Sequence, residues 1–269
     1  MKYVPRFINK SLRSFPESPI INRMRCFYYN NFKKSNFKIS FEDNYFKIDF
    51  GKGLILRFYN NPFYDLQHPL KGYLKNYSIK RGDYIVDAGS FIGTFAIYSA
   101  KIVGEGGKVF AFEPDRFNYE KLLKNIELND LKNIITINKG LWNKNEVLEF
   151  DYREDEGSMV VRCMDGRIKG KIVNYEFVKL DDEIMRLEIN KIDFIKMDIE
   201  GAELEALEGC REALEKNNVN LAIASYHVRN NKKTCEEAEN ILNNMGYSSK
   251  TEFPDHLTTY AFKPDNLVN

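Results

Sequence analysis

From residue 84 onward, short apolar runs alternate with helix-length amphipathic segments, and this alternation restricts the fold more than any other feature. The runs are Tyr84–Ala88, Lys108–Phe112, Ile134–Ile137, Asp193–Met197 and Val219–Ala224. Between them the spacing predicts helices over Phe95–Ile102, Tyr119–Asn129, Asp182–Leu187 and Ala202–Leu207. Asp181 is the expected N-cap of the third helix, and Gly209 the end of the fourth. Strands joined by helices in this way build a parallel sheet covered on both faces. A last helix over Thr234–Met245 precedes two segments, Tyr247–Thr251 and Thr258–Phe262, that read as a hairpin. Residues 141–180, including the glycine-containing stretch Asp165–Gly170, show no regular period. The expected fold is α/β: a Rossmann-like, doubly wound sheet, mostly parallel, closed by an antiparallel terminal hairpin.

The character of the chain changes at Lys80-Arg81-Gly82-Asp83, where a Phe-, Tyr- and Asn-rich sequence ends. Residues 1–80 are therefore expected to form an N-terminal α+β extension on the substrate side, and residues 81–269 the main domain. Within the extension, 1–35 suggests one or two helices. Alternation over Phe37–Phe41, Tyr45–Phe50 and Leu54–Phe58, with turns at 42–44 and 51–53, predicts a small meander.

Forty basic residues balance thirty-nine acidic ones, for a net charge of +1 in 269 residues. Nucleic-acid binding by bulk charge needs a cationic excess, so it is disfavoured. Cys26, Cys163, Cys210 and Cys235 form no close pair, which speaks against a zinc site or a disulfide scaffold. No run approaches the roughly 20 apolar residues of a membrane span, and Arg6, Lys10 and Arg13 precede no signal-peptide core. A cytoplasmic location is expected. The basic, aromatic stretch from Arg23 to Lys38 could touch a membrane surface. Oligomeric state is not legible.

In open α/β sheets ligands bind beyond the carboxyl ends of the strands. The first such end reads Asp87-Ala88-Gly89-Ser90-Phe91-Ile92-Gly93-Thr94, and the second reads Phe112-Glu113-Pro114. Gly89 permits a sharp turn close to a ligand, Gly93 lets the next helix begin tight against the sheet, and Glu113 can accept from both hydroxyls of a ribose. A dinucleotide loop needs G-x-G-x-x-G so that backbone can meet a pyrophosphate, but positions 91 and 94 are Phe and Thr. S-adenosylmethionine (SAM), which has a ribose and no pyrophosphate, suits this loop better than NAD.

Residues 84–94, YIVDAGSFIGT, resemble the first motif of the FkbM family of methyltransferases, and Ala111–Asp115, Asn118-Tyr119 and Asn125–Asn129 continue the match. The distinctive portion is 178–209, VKLDDEIMRLEINKIDFIKMDIEGAELEALEG here, which follows that family's L-D-D…I-D-F-x-K-x-D-x-E-G-x-E-x-x-x-L-x-G signature. Ser90 stands where the family commonly has Asn. The likeness covers about residues 70–262. It implies a methyltransferase sheet, SAM as cofactor, and methylation of a hydroxyl on a sugar or other small-molecule or glycan acceptor.

The reacting centre is expected after the fourth and fifth strands, at Asp198, Glu200 and His227. His227 is the candidate general base, because imidazole titrates near working pH. Asp198 also borders the cofactor side. Glu200 could instead favour a helix N-terminus, and Glu203 reads as packing or solvation. The same three residues could hold a divalent metal: two carboxylates favour magnesium or manganese, a histidine favours a transition metal. His68 and His256 carry no motif and read as surface or loop residues. Trp142, Ser158, Met159 and several tyrosines could line an acceptor site. Methylation of nitrogen, protein or RNA, an NAD-dependent oxidoreductase and a non-catalytic SAM-binding module are the competing readings. Met197-Asp198-Ile199-Glu200-Gly201, where an Asn/Asp-Pro-Pro-aromatic tetrad would stand, speaks against base N-methylation.

Overall fold

The structure is a computed structural model that describes residues 17–264 apart from 34, 64, 65, 67, 68, 154–157, 165–167, 169 and 230. The expectations for residues 1–16, for His68 and for most of Asp165–Gly170 lie outside the described residues.

Helix α1 (Pro19–Phe32) begins at Ser18, whose hydroxyl accepts from the Ile21 N–H, with Pro19 in the first turn. It lies on the meander β1 (Lys38–Glu42), β2 (Tyr45–Asp49) and β3 (Ile55–Phe58), which is antiparallel throughout. Asn30 fixes helix to strand by giving its amide N–H to the Ile39 carbonyl and accepting from the Ile39 N–H. A short helix α2 (Pro69–Tyr73) leads to the main sheet.

That sheet begins with β4 (Tyr84–Ala88), α3 (Thr94–Val103), β5 (Lys108–Phe112), α4 (Arg116–Leu128) and β6 (Ile134–Ile137). Next comes a second sheet of β7 (Gly140–Leu141), β8 (Glu146–Tyr152), β9 (Met159–Val160) and β10 (Lys171–Val178), in the order β7-β10-β8-β9. Helix α5 (Leu180–Arg186) returns the chain to β11 (Phe194–Met197), followed by α6 (Glu203–Glu208), α7 (Arg211–Lys216) and β12 (Asn220–Ala224). A small hairpin of β13 (Val228–Arg229) and β14 (Lys232–Lys233) precedes α8 (Cys235–Asn244), β15 (Ser248–Glu252) and β16 (Thr258–Phe262).

The main sheet has seven strands in the order β15-β16-β12-β11-β4-β5-β6. Strands β6, β5, β4, β11 and β12 are parallel, and β16 runs antiparallel between β12 and β15. The doubly wound sheet and its terminal hairpin are thus as expected. Alternate residues explain its burial on both faces. Val86, Phe110, Phe112, Ile195, Met197, Leu221 and Ile223 face one core, with the helices α5 to α8. Ile85, Val109, Ala111, Phe194, Ala222 and Ala224 face the other, which also holds α3 and the meander's Ile39, Phe46, Ile48, Leu56 and Phe58. The N-terminal extension therefore shares a core with the sheet.

Three local differences from the sequence reading have physical causes. Asp181 does not cap α5. Its carboxylate accepts from the N–H groups of Glu212 and Ala213 and so caps the start of α7, which the sequence reading missed. Helix α4 starts earlier than expected because the Asp115 side chain accepts from the Asn118 N–H. The described residues between 140 and 178 include a sheet, because in β8 Leu148 and Phe150 turn inward while Val147 and Glu149 face solvent. The exposed Val147 and the buried Asp151 blur that alternation in the sequence.

Asn125 joins the extension to the cofactor loop. Its amide donates to the Ile92 carbonyl and its oxygen accepts from the Tyr59 N–H. Truncation to alanine orphans both backbone groups, so Asn125→Ala should lower stability by about 1–3 kcal/mol. A urea midpoint unchanged from the parent would refute this linkage.

Candidate active site

The strand order reverses between β4 and β11, the kind of place where open α/β sheets bind their ligands. Across this switch Asp87 and Lys196 are register partners. Both are buried, and Lys196 Nζ lies 3.0 Å from Asp87 Oδ1. The same ammonium donates to the carbonyls of Ala88 at 3.1 Å and Gly89 at 2.7 Å. Burial raises the Asp87 pKa and the Lys196 charge opposes it. Asp87, expected to touch the cofactor, instead lies beneath the loop and shapes it through Lys196, a residue the sequence reading did not single out.

Above this pair the loop is drawn tight. The N–H groups of Gly89 and Ser90 both donate to the Phe112 carbonyl. The Ser90 hydroxyl donates to the Asp87 carbonyl. Gly89 has φ of 77°, and a Cβ there would stand 1.9 Å from the Asp198 carbonyl oxygen, so only glycine fits. Gly93, at φ 91°, caps α3, and a Cβ there would meet Leu122 at 2.5 Å. Thr94 is buried at the start of α3. Phe91 takes a left-handed conformation, φ 51°, with its ring exposed. Its N–H donates to Glu113 Oε2 at 2.8 Å, while Glu113 Oε1 accepts from the Asp115 N–H at 3.0 Å. Pro114 is half-buried between them. Burial raises the Glu113 carboxyl to about 7 against the pull of these two N–H groups. A carboxylate has about four acceptor positions, so two remain for a ligand.

The second loop, after β11, carries Asp198 and Glu200, and the segment after β12 carries Tyr226 and His227. Asp198 accepts from the Tyr73 hydroxyl at 2.6 Å and from the Tyr226 hydroxyl at 3.3 Å. His227 Nε2 lies 4.0 Å from Asp198 Oδ1 and 3.3 Å from Glu200 Oε2. His227 Nδ1 lies 3.1 Å from Glu203 Oε1. Glu200 itself is left-handed, φ 55°, ahead of Gly201. The sequence reading thus brings Asp198, Glu200 and His227 together, as the structure does.

Two residues need reassignment. Glu203 is fully buried, and its Oε1 accepts from the N–H groups of Ile199 and Gly201 while facing His227. It organises the turn and is no surface residue. His256 lies between β15 and β16, on a loop as expected, but it faces inward, with Nε2 3.9 Å from Asp198 Oδ2 and its ring against Tyr226. Tyr73, on α2, had no recognisable motif; a lone tyrosine 125 positions before its partner gives no signal in sequence. Trp142 is core, packed on Phe177, and the Ser158 hydroxyl bonds to the backbone of Arg153. Met159 reaches the neighbourhood of Gly201, 3.5 Å from where its Cβ would be.

The charges bear on who can move a proton. Burial lowers the His227 pKa, but Glu203, Glu200 and Asp198 overcome it and lift the imidazole to about 11. Burial likewise raises Asp198, but Lys196, His227, Tyr73 and His256 hold it below the ordinary carboxylate range. Glu200 is raised, first by its enclosed position and then by Asp198, while His227 opposes this. The proton on His227 is thus governed by the three carboxylates around it.

A seven-stranded, doubly wound sheet with a tight glycine loop, an acidic second strand end and a polar cluster at its switch point defines a Rossmann-like methyltransferase fold. The chain belongs to the methyltransferase FkbM domain family, whose model matches residues 87–249. The curated relatives it resembles include methyltransferase sdnD of Sordaria araneosa, 31% identical over 48% of this chain and 61% of that protein. Hexuronic acid methyltransferase AglP of Haloferax volcanii is 28% identical over 54% of this chain and 56% of its own. Each match therefore spans about three fifths of the relative's length. A crystal structure of methyltransferase FkbM from Methylobacillus flagellatus shares the fold with a TM-score of 0.53 and 23% identity, covering 72% of this chain and 47% of that one. Among the described residues no helix is long and apolar enough to cross a membrane.

Removing the ammonium at the switch point would leave the Asp87 carboxylate buried and unpaired. Lys196→Met should therefore cost about 3–5 kcal/mol. The double variant Asp87→Asn/Lys196→Met should recover part of that loss in chemical denaturation; a purely additive double variant would sever the two residues energetically.

Proposed function

We propose that the protein is a SAM-dependent methyltransferase that methylates a hydroxyl group, with a sugar or related polyhydroxylated molecule as acceptor. The observation that carries the cofactor is the pairing of the Gly89 turn with Glu113. The loop leaves no room for a side chain at 89, places Phe91 where a dinucleotide loop has its second glycine, and holds a buried carboxylate with two spare acceptor positions. A ribose with two hydroxyls fits that carboxylate, and a pyrophosphate does not fit a loop whose second glycine is replaced by phenylalanine.

SAM supplies a methyl group made electrophilic by its sulfonium. Gly89, Ser90, Phe91, Gly93 and Thr94 would form the floor of its site, with Glu113 and Pro114 at the ribose. Asp198 borders both loops. The acceptor side is the cluster of Tyr73, Asp198, Glu200, Tyr226, His227 and His256, which combines hydroxyls, carboxylates and imidazoles in one polar wall. Such a wall can hold a hydroxyl in line and take its proton. Glu200 is the most exposed of the three expected catalytic groups, with 40% of its side chain accessible. We assign it the proton, with His227 and Asp198 positioning it. Sugar chemistry is supported by one relative named for a hexuronic acid and by the density of hydroxyl-binding groups here.

Calorimetric titration tests the cofactor. SAM should bind saturably and NAD should not; a folded protein that ignores SAM would overturn the reading. Glu113→Ala should weaken SAM by at least tenfold while the fold stands. The pH dependence has a definite sign. Ribose hydroxyls favour the charged carboxylate, whereas free Glu113 titrates near 7, so binding releases a proton. SAM affinity should rise with pH up to about 7 and level off above it, a slope that Glu113→Gln abolishes. His227→Ala should leave SAM affinity within a few-fold; a parallel loss of binding would mark His227 as structural.

A further inference from the structure

We propose that Asp198, Glu200 and His227 bind one divalent metal cation of the manganese type, a reading that rests on the methyltransferase assignment and places the ion beside the acceptor hydroxyl. One ligand atom from each residue lies within 4.8 Å of the others. His227 Nε2 is 3.3 Å from Glu200 Oε2 and 4.0 Å from Asp198 Oδ1. Ligands about 2.0–2.2 Å from a common ion stand roughly 3–4 Å apart, so little movement is needed to close the site.

The histidine supplies the independent observation. Only 8% of its side chain is exposed, yet neither ring nitrogen makes a well-directed hydrogen bond among the described residues. A buried imidazole without such bonds is costly unless something else satisfies it. Its Nδ1 faces Glu203, which is held in place by the N–H groups of Ile199 and Gly201. Its Nε2 faces the two remaining carboxylates. A carboxylate on one ring nitrogen that leaves the other free for an ion is the usual support of a metal-bound histidine. Here Glu203 is that support.

Charge points the same way. Asp198, Glu200 and Glu203 converge on His227, with His256 3.9 Å from Asp198 on its other side and Lys196 engaged with Asp87 and two carbonyls below. The site is also open on one side: Asp198 and Glu200 are 21% and 40% exposed, against 8% for His227. Three protein ligands leave positions for the oxygens of an acceptor. Two carboxylates with one imidazole suit manganese better than magnesium, which favours oxygen alone, and better than zinc, which favours nitrogen and sulfur. A cation there would orient neighbouring hydroxyls of a polyol and make the bound one more acidic, with Tyr73, Tyr226 and His256 around it.

Mn²⁺ titration of chelator-stripped full-length protein, followed by electron paramagnetic resonance and calorimetry, tests the site. One Mn²⁺ per chain is expected, with affinity falling at least tenfold in Glu200→Gln and in His227→Ala, and by about 10–100-fold in Glu203→Gln. Glu200 is exposed enough that its variant should fold even if Glu203→Gln does not. SAM binding is measured separately in chelator. Protein that binds SAM but shows no Mn²⁺ uptake, or uptake that survives Glu200→Gln and His227→Ala, overturns the metal site and leaves the methyltransferase reading standing. Protein that takes up Mn²⁺ at these residues but never binds SAM upholds the site and overturns that reading.

Discussion

The register pair Asp87–Lys196 is the constraint on which the site depends. It sits at the one place where the sheet changes its winding direction, with apolar residues before and after it on both strands. An ion pair in such surroundings gains little net stability, because desolvation of both charges offsets their attraction. Its value lies in position. One ammonium holds together the carboxylate of one strand, the carbonyl of that strand's last residue and the carbonyl of Gly89 just beyond it, which fixes the turn at Gly89. The second loop is then anchored to the first, since the Asp198 N–H donates to the Ala88 carbonyl. Cofactor loop and acceptor loop are two ends of one rigid connection.

Much of this was legible in the sequence because local signals and global topology agree. Each parallel strand buries alternate residues in two cores, so it reads as an unbroken apolar run; the helices between them carry one apolar face. Tyr84–Ala88 and Lys108–Phe112 coincide with their strands for that reason. The glycine turn and Glu113 were legible because a steric requirement and a buried charge leave few alternatives. Legibility failed where partners are distant. Asp181 looks like a local cap and serves a helix thirty residues on. Tyr73 and His256 reach Asp198 from opposite ends of the chain. Glu203 reads as packing or solvation, and only the fold shows that it is buried against an imidazole.

The site as a whole is an unbalanced arrangement of charge. Three carboxylates meet at one histidine in a half-enclosed cleft, where their mutual repulsion is poorly screened. A fold maintains such an arrangement against its electrostatic cost only through strong local restraints. Here these are the left-handed turn at Glu200-Gly201, the two N–H groups on Glu203 and the two phenols on Asp198. The groups are held close without needing to attract one another.

The shared core of the extension and the sheet has a consequence for synthesis. Phe46, Ile48 and Leu56 belong to one cluster with Ala222, Ala224 and Tyr260, which are made long after them. Tyr73 waits likewise for Asp198, and Asp198 for His256. Until then Phe46 and Phe58 of the meander lack part of their final packing. The reacting centre draws on Tyr73, Asp198, His227 and His256, so it can assemble only after β12 and the segment before β16 have been made.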